Sequence, residues 1–237
     1  SFKNLLNFLQ VVVDKTSEVG KKLCNDSNIS LISFVGSTET GKKIIEQCAS
    51  TLKKTNLELG GKNSAIVSDT SDINFAVDKV INGIFENGGQ ACVGISRVII
   101  HERVYDLFLK KILAKINIQY NNKKLNFQIP ATKLQRKKIL SLLGTIKINY
   151  LKNIIKIFDL GSKKYTPVFL KFQKSNKFFL KNEFFFPIVT FEKFNNLNDC
   201  IKKVNETEYG LACYIFSKNK FEIKKLINTL ECGRIWV

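Results

Sequence analysis

The chain has 237 residues, of which 44% are hydrophobic and 24% charged, and its formal net charge is +18. This length accommodates one large domain or two smaller ones with a substantial core. Because no apolar run approaches the ~20 residues that cross a bilayer, the sequence predicts a globular protein without a transmembrane helix.

The cysteine and histidine pattern argues against a metal site. Six cysteines are scattered without any C-x-x-C pair, and the only histidine is His101, so the ligand spacing of zinc sites is missing. A chain of this size does not depend on disulfides, and no secretory cleavage pattern follows the N-terminus. We therefore expect reduced thiols and a cytoplasmic protein. His101 follows a predicted strand without an acidic or cysteine partner in register, and we expect a surface residue.

The positive charge has two interpretations. It arises from 38 Lys and Arg against 20 Asp and Glu, and a basic surface can bind nucleic acid. However, the lysines are spread along the whole chain and are not gathered in one basic arm with interleaved aromatic residues. We expect a solvated basic surface, no specific nucleic-acid partner and no membrane association, and keep a basic nucleic-acid-binding module as an alternative function.

Short apolar runs alternate with amphipathic stretches along the chain. This alternation predicts an α/β fold with a largely parallel sheet. Residues 117–126 are polar and predict a loop, and 153–173 predict two strands around a turn. Strands are predicted within 29–36, 54–69, 96–104, 191–195, 210–219 and 234–237, and helices within 17–26, 39–54, 71–89, 105–116, 132–146, 196–207 and 220–233.

The segment "FVGSTETGKK" places two glycines, Gly36 and Gly41, around the start of a predicted helix. Ser37 or Thr38 can cap that helix, which follows a predicted buried strand. The unpaired N–H groups and the dipole of a helix start favour an anion such as a pyrophosphate. An ordinary capped helix has the same pattern, so both interpretations stay open.

The segment "NLELGGKNSAIV" places a carboxylate, Glu58, in an apolar strand before Gly60 and Gly61. Burial raises a carboxyl pKa, and enzymes use this effect to make a general base. A salt bridge to a nearby lysine is the alternative.

The segment "ENGGQACVGISR" places Cys92 on a predicted turn after the helix-ending Gly88 and Gly89. A thiol on a turn can be reached by a substrate, and backbone donors can lower its pKa and so make it a strong nucleophile. A buried, inert sulfur is the other interpretation, and it is the one we give to the remaining five cysteines.

Taken together and in order, these segments resemble the aldehyde dehydrogenase superfamily. The later segments "NEFFFPIVTFEKF" and "VNETEYGLACYIFSKN" resemble that family's E-x-F-G-P and N-x-T-x-Y/F-G-L-A stretches. The segments "QCASTLKKTNLELGG" and "YGLACYIFSKN" are similar to the succinate-semialdehyde dehydrogenase branch. The resemblance covers nearly the whole chain and is weakest over about 116–164.

The resemblance implies NAD(P)-dependent oxidation of an aldehyde to an acid, with succinate semialdehyde as a candidate substrate. It implies that residues 1–60 are the second half of a Rossmann-like NAD(P)-binding domain and that 61–237 are a truncated catalytic domain. Family members are homo-oligomers, so oligomerisation is expected of a full-length protein. The implied roles are nucleophile and oxyanion N–H donor for Cys92, general base for Glu58, and NAD or NADP binding for Gly36, Ser37, Gly41, Leu59, Glu183 and Phe185.

Some features depart from the family pattern. Phe186 occupies the glycine position of E-x-F-G-P, where a side chain can strain the backbone. The family segments carrying a second oxyanion donor and the adenosine-ribose lysine are expected to precede Ser1, and further family segments to follow Val237. A truncated or decayed remnant without catalytic activity is therefore the alternative to an active enzyme.

Overall fold

A computed structural model describes residues 8–122, 128–157 and 165–237. The chain divides into two compact units, the first ending at Gly60 and the second running from Gly61 to Val237. Each unit is built from strands and helices in alternation.

The first unit contains two helices and a two-stranded parallel sheet. Helices α1 (Glu18–Asn25) and α2 (Thr38–Cys48) alternate with strands β1 (Leu31–Val35) and β2 (Lys54–Glu58), and Val35 lies opposite Glu58 in register. The strand predicted within 29–36 is confirmed, but the expectation that it is buried is wrong. Leu31 and Val35 are 53% and 72% exposed because, among the described residues of this unit, only β2 pairs with β1.

The second unit is built on a seven-stranded sheet with the order β5-β6-β7-β4-β3-β8-β9. All neighbouring strands are parallel except β5 and β6. The strands are β3 (Ser64–Val67), β4 (Arg97–His101), β5 (Ile154–Ile157), β6 (Val168–Phe172), β7 (Ile188–Phe194), β8 (Ala212–Phe216) and β9 (Arg234–Trp236). The helices are α3 (Ile73–Phe85), α4 (Glu102–Asn121), α5 (Lys133–Asn149), α6 (Lys177–Lys181), α7 (Leu197–Asn205) and α8 (Lys220–Thr229).

Both faces of this sheet are covered, which explains why its central strands are continuous apolar runs. Side chains alternate between the two faces of a strand. Ala65 and Val67 pack with α3 and α4 in one cluster, whereas Ile66 packs with α7 and α8 in another. A third cluster joins α5, β6 and the segment before β7.

The α/β fold and the mainly parallel sheet were predicted from the sequence and are confirmed. The loop prediction for 117–126 is wrong at its start, since α4 continues to Asn121. Buried Ile116 anchors that last stretch of helix to the core. The turn predicted between β5 and β6 falls on 158–164, outside the described residues. Helix α6 was not predicted.

Two features are missing from the described residues. No helix in the described ranges is long and apolar enough to cross a membrane. Within those same ranges, no group of three or more His, Cys, Asp or Glu side chains could hold a metal ion.

Candidate active site

Three segments of the second unit meet at one edge of its sheet. Residues 61–63 precede β3, 92–96 precede β4 and 183–187 precede β7. These strands are parallel neighbours in the order β7-β4-β3. Their amino ends therefore bring the segments of Gly61, Cys92 and Glu183 together.

Cys92 lies on a tight turn and is exposed, unlike four of the other cysteines, which are buried, and Cys232, which is half-buried. The turn is closed by the Gly94 N–H, which donates to the Ala91 carbonyl at 3.0 Å. A peptide unit is planar with its C=O and N–H on opposite sides, so the Cys92 N–H points out of the turn. Among the described residues, nothing accepts a hydrogen bond from it.

The glycines before this turn allow the chain to leave α3 abruptly. Asn87, Gly88 and Gly89 all have positive φ, at 47°, 68° and 79°, the region that glycine and asparagine adopt most readily. A Cβ on Gly89 would lie 2.5 Å from Pro187. The predicted helix stop at Gly88 and Gly89 thus brings the Cys92 turn against the start of β7.

Asn63, the residue before β3, holds the Cys92 turn. Its Nδ2 donates to the Cys92 carbonyl at 2.8 Å and to the Gly94 carbonyl at 2.9 Å, and the residue is only 2% exposed. Its backbone carbonyl also accepts from the N–H groups of Ser96 and Arg97. A buried carboxamide that makes such bonds is expensive to disturb, so it fixes the turn to the sheet.

Glu183 is a largely buried carboxyl group beside the same turn. Its Oε1 accepts the Gly61 N–H at 3.1 Å. Burial raises the pKa of Glu183, and this outweighs the opposing effects of the Gly61 hydrogen bond and of Lys138 and Lys62. Phe185, two residues later, has φ 51°, a strained conformation for a bulky residue. The resemblance drew attention to Phe186 in the glycine position, but the positive φ belongs to Phe185.

Lys62 has a buried side-chain amine that sequence reasoning missed. It is 3% exposed, and its Nζ has no hydrogen-bond partner among the described residues. The Nζ lies 3.9 Å from the centre of the Phe184 ring, which favours the charged form. Burial, followed by the nearby Arg97, is the larger effect and lowers the pKa of Lys62 well below its usual range.

A narrow cavity opens between the three segments. It has a volume of about 20 Å³, which is room for about one water molecule. Gly61, Asn63, Ala91, Gly94 and Glu183 are among the residues that line it. The cavity therefore extends from the Cys92 turn to the Glu183 carboxyl group.

The first unit holds the candidate anion site at the start of α2. Ser37 is the N-cap, and its Oγ accepts the Thr40 N–H at 3.2 Å. A Cβ on Gly41 would lie 2.6 Å from Leu59 Cδ2, and one on Gly36 would lie 2.4 Å from the Phe34 ring. The two glycines thus let apolar side chains pack close to an exposed helix start, a geometry that suits a diphosphate.

Glu58 is the last residue of β2 and is half-buried. Its carbonyl accepts the Gly36 N–H at 3.0 Å, so it lies beside the start of α2. Glu58 belongs to the first unit and Cys92 to the second, and a joint role for them stays a prediction.

His101 is not the isolated surface residue that was expected. Its side chain is 12% exposed, and its Nδ1 lies 4.0 Å from the Asp69 carboxylate. The same nitrogen accepts the Arg103 N–H at 3.3 Å and caps α4. The partner was missed because Asp69 follows β3, the strand beside β4, and is distant in the sequence.

Solved structures share this fold over most of the chain. The betaine aldehyde dehydrogenase of Staphylococcus aureus, in a crystal structure with NAD+, has a TM-score of 0.79 and 27% identity over 93% of this chain and 46% of its own. An apo structure of a mutant of the same enzyme has a TM-score of 0.83 and 28% identity over 95% of this chain and 47% of its own.

Sequence comparisons define the family. The model of the aldehyde dehydrogenase family matches residues 6–237, and the chain belongs to that family. An aldehyde dehydrogenase of Enchytraeus buchholzi is 35% identical over 92% of this chain and 45% of its own length. The NADP(+) succinate-semialdehyde dehydrogenase of Escherichia coli is 28% identical over 96% of this chain and 48% of its own. The chain thus spans about half the length of these relatives, whose family uses NAD or NADP.

Proposed function

We propose that this chain carries the catalytic thiol of an NAD- or NADP-dependent aldehyde dehydrogenase, with Cys92 as the nucleophile. The observation that carries the proposal is the exposed Cys92 on a fixed turn whose N–H points outward. Because a thiolate attacks carbonyl carbon readily, this geometry supports covalent catalysis on an aldehyde.

In the proposed reaction, the Cys92 thiolate attacks the aldehyde carbon, and the carbonyl π electrons move to the oxygen. The Cys92 N–H donates to that oxyanion. NAD+ or NADP+, when bound, would supply the hydride acceptor that oxidises the Cys92 thiohemiacetal to a thioester. The Glu58 carboxylate then takes a proton from water, hydroxide attacks the thioester, and the acid leaves as the thiolate is restored.

The family resemblance supplies the residues proposed to hold the dinucleotide. Ser37 and the start of α2, close-packed through Gly36, Gly41 and Leu59, would hold the diphosphate. Glu183 and Phe185 would hold the nicotinamide ribose and ring. The exposed start of α2 supports the diphosphate assignment. The Glu183 assignment is supported by the position of its carboxyl group, whose Oε1 accepts the N–H of Gly61, a residue packed against the Cys92 carbonyl.

Succinate semialdehyde is the proposed substrate because of the branch resemblance and the Escherichia coli relative. We also propose a cytoplasmic location, because all six cysteines are free thiols. Homo-oligomerisation is proposed for a full-length protein.

Steady-state and single-turnover kinetics test the proposal. Reduction of NAD+ and NADP+ by a panel of aldehydes is followed at 340 nm. Cys92→Ser should lower the rate by about 10³-fold or more, since the nucleophile is lost. Glu58→Gln should keep the first burst of reduced cofactor and lose turnover, because only thioester hydrolysis needs the base.

Cys232→Ser is the matched control, since Cys232 is half-buried and has no proposed role. Full activity in Cys92→Ser would contradict the nucleophile assignment. A wild-type chain with no aldehyde-dependent reduction of either cofactor would instead support the catalytically inactive remnant.

A further inference from the structure

Every peptide unit of the Cys92 turn is fixed by a hydrogen bond. The Ala91 carbonyl accepts from the Gly94 N–H, and Asn63 binds the carbonyls of Cys92 and Gly94. The Ile95 N–H donates to the Gly83 carbonyl at 2.9 Å. The remaining carbonyl, that of Val93, is bound by a residue that no motif identified.

That residue is Tyr214 on β8. Its hydroxyl donates to the Val93 carbonyl at 2.9 Å. Its ring stacks on Trp236, the residue opposite in β9, with ring centroids 4.7 Å apart and an angle of 15° between the planes. Burial raises the pKa of Tyr214 to about 12, so the hydroxyl remains a donor at neutral pH.

We propose that Tyr214 is a positioning residue for Cys92, a role that rests on the proposed function. By holding the Val93 carbonyl, it fixes the Val93–Gly94 peptide unit, whose N–H closes the turn on the Ala91 carbonyl. Because peptide units are planar, the closed turn directs the Cys92 N–H outward. Tyr214 thus acts on the oxyanion through two peptide units, without touching the substrate.

This role predicts a difference between two reactions of the same sulfur. In acylation by p-nitrophenyl acetate, the thiolate attacks the ester carbon, a tetrahedral oxyanion forms, and p-nitrophenolate leaves, so the N–H donor matters. In alkylation by iodoacetamide, the thiolate displaces iodide from carbon, and no oxyanion forms. Neither reaction needs the dinucleotide.

Tyr214→Phe removes only the hydroxyl and should slow acylation of Cys92 about tenfold, less than the loss of a whole oxyanion donor. Alkylation should change by less than about twofold. Both rates are measured on the intact chain, with the labelled peptide identified by mass spectrometry and Cys92→Ser giving the background.

The matched control is Tyr105→Phe. Tyr105 is buried in the core formed with α4, burial raises its pKa to about 12 as well, and it does not contact the Cys92 turn. Both of its rates should equal those of the wild type.

If Tyr214→Phe unfolds, Trp236→Leu provides a second test, since it keeps the hydroxyl and removes the ring that orients it. It should also slow acylation more than alkylation. Equal effects on both reactions in a folded variant, or no effect on either, would overturn the role of Tyr214. A wild-type Cys92 that is neither acylated nor alkylated would instead remove the nucleophile assignment itself.

Discussion

At the scale of single residues, Glu183 gives the protein a testable pH dependence. Because burial raises its pKa above the ordinary value of 4.5, the folded state holds a proton that the unfolded state has already released. The contribution of Glu183 to stability is therefore fully present below the unfolded pKa and is lost as pH rises through the folded pKa.

Glu183→Gln should be more stable than the wild type at pH 7 and equal to it near pH 4. Glutamine keeps an acceptor for the Gly61 N–H and carries no charge to bury. Thermal unfolding between pH 4 and 7 measures the gap, with about 2–4 °C in Tm for each kcal/mol. The exposed Glu206 provides the control, Glu206→Gln, which should show no such gap. A constant difference at all pH values would contradict the raised pKa.

Lys62 belongs to the same buried group of charges and shows why residue roles are hard to predict from sequence. Its position after two glycines suggests a loop, yet burial and the nearby Arg97 lower the pKa of Lys62 well below its usual range, although the Phe184 ring beside its Nζ favours the charged form. Phe184 lies before β7, and Arg97 is the first residue of β4. Only the parallel register of three strands brings them to one place.

At the scale of elements, replacing glycine by alanine should have opposite effects on stability at two positions. Gly89→Ala should destabilise the protein by roughly 2 kcal/mol or more, because φ is 79° and the new Cβ would meet Pro187 at 2.5 Å. Gly144→Ala in α5 should stabilise it by about 0.5–1 kcal/mol, because nothing lies within 4 Å of that Cβ and alanine favours a helix.

Urea unfolding of the two variants measures both effects. Iodoacetamide labelling of Cys92 then separates local from global change. Gly89→Ala should alter the labelling rate because it moves the start of the Cys92 turn, whereas Gly144→Ala should leave the rate unchanged. Equal stability of the two variants would contradict the packing of Gly89 against Pro187.

The helices and strands that the sequence predicted well are those that depend on neighbouring residues, such as helix caps and short apolar runs. The helix predicted within 71–89 is α3, which Asp72 caps, since its Oδ1 accepts from the N–H groups of Asn74 and Phe75. The apolar runs of β3 and β4 predicted strands, and both strands are buried because both faces of the sheet are covered. The predicted burial of β1 was wrong because no described residue of the first unit covers the face of β1 that carries Leu31 and Val35.

The candidate site was only partly predictable from the sequence, because some of its contacts are local and others join distant parts of the chain. Cys92, Glu58 and Glu183 stand in short motifs, and glycines near Cys92 and Glu58 are visible in the sequence. Tyr214 and Asn63 act on the Cys92 turn across 121 and 29 positions. Such bonds depend on strand order, which no local pattern contains.

At the scale of the whole molecule, the excess of positive charge predicts a dependence of stability on salt. The chain carries 38 Lys and Arg against 20 Asp and Glu, a net charge of +18. Like charges repel each other more strongly in the compact state. The screening length falls from about 30 Å at 0.01 M salt to about 8 Å at 0.15 M, so added salt should relieve this repulsion.

Ion pairs oppose this effect, since salt weakens them too. Most of the pairs described are on the surface, such as Lys43 with Glu39 at 2.9 Å, and contribute roughly 0–1 kcal/mol each. The Arg97–Glu192 pair is buried, with side chains 1% and 3% exposed, and is screened little. Net repulsion should therefore dominate, and Tm should rise between 10 and 300 mM NaCl.

Thermal unfolding at pH 7 in NaCl and in KCl measures the rise, and the two salts should agree because screening depends on ionic strength. Sucrose at equal osmolality is the control for effects that do not involve charge, and Tm in NaCl should exceed Tm in sucrose at the lowest concentrations. A Tm that falls with salt would show that attractive pairs such as Lys203–Asp199, 2.6 Å apart, outweigh the repulsion. Local ion pairs would then stabilise the fold by more than the repulsion among the excess lysines destabilises it.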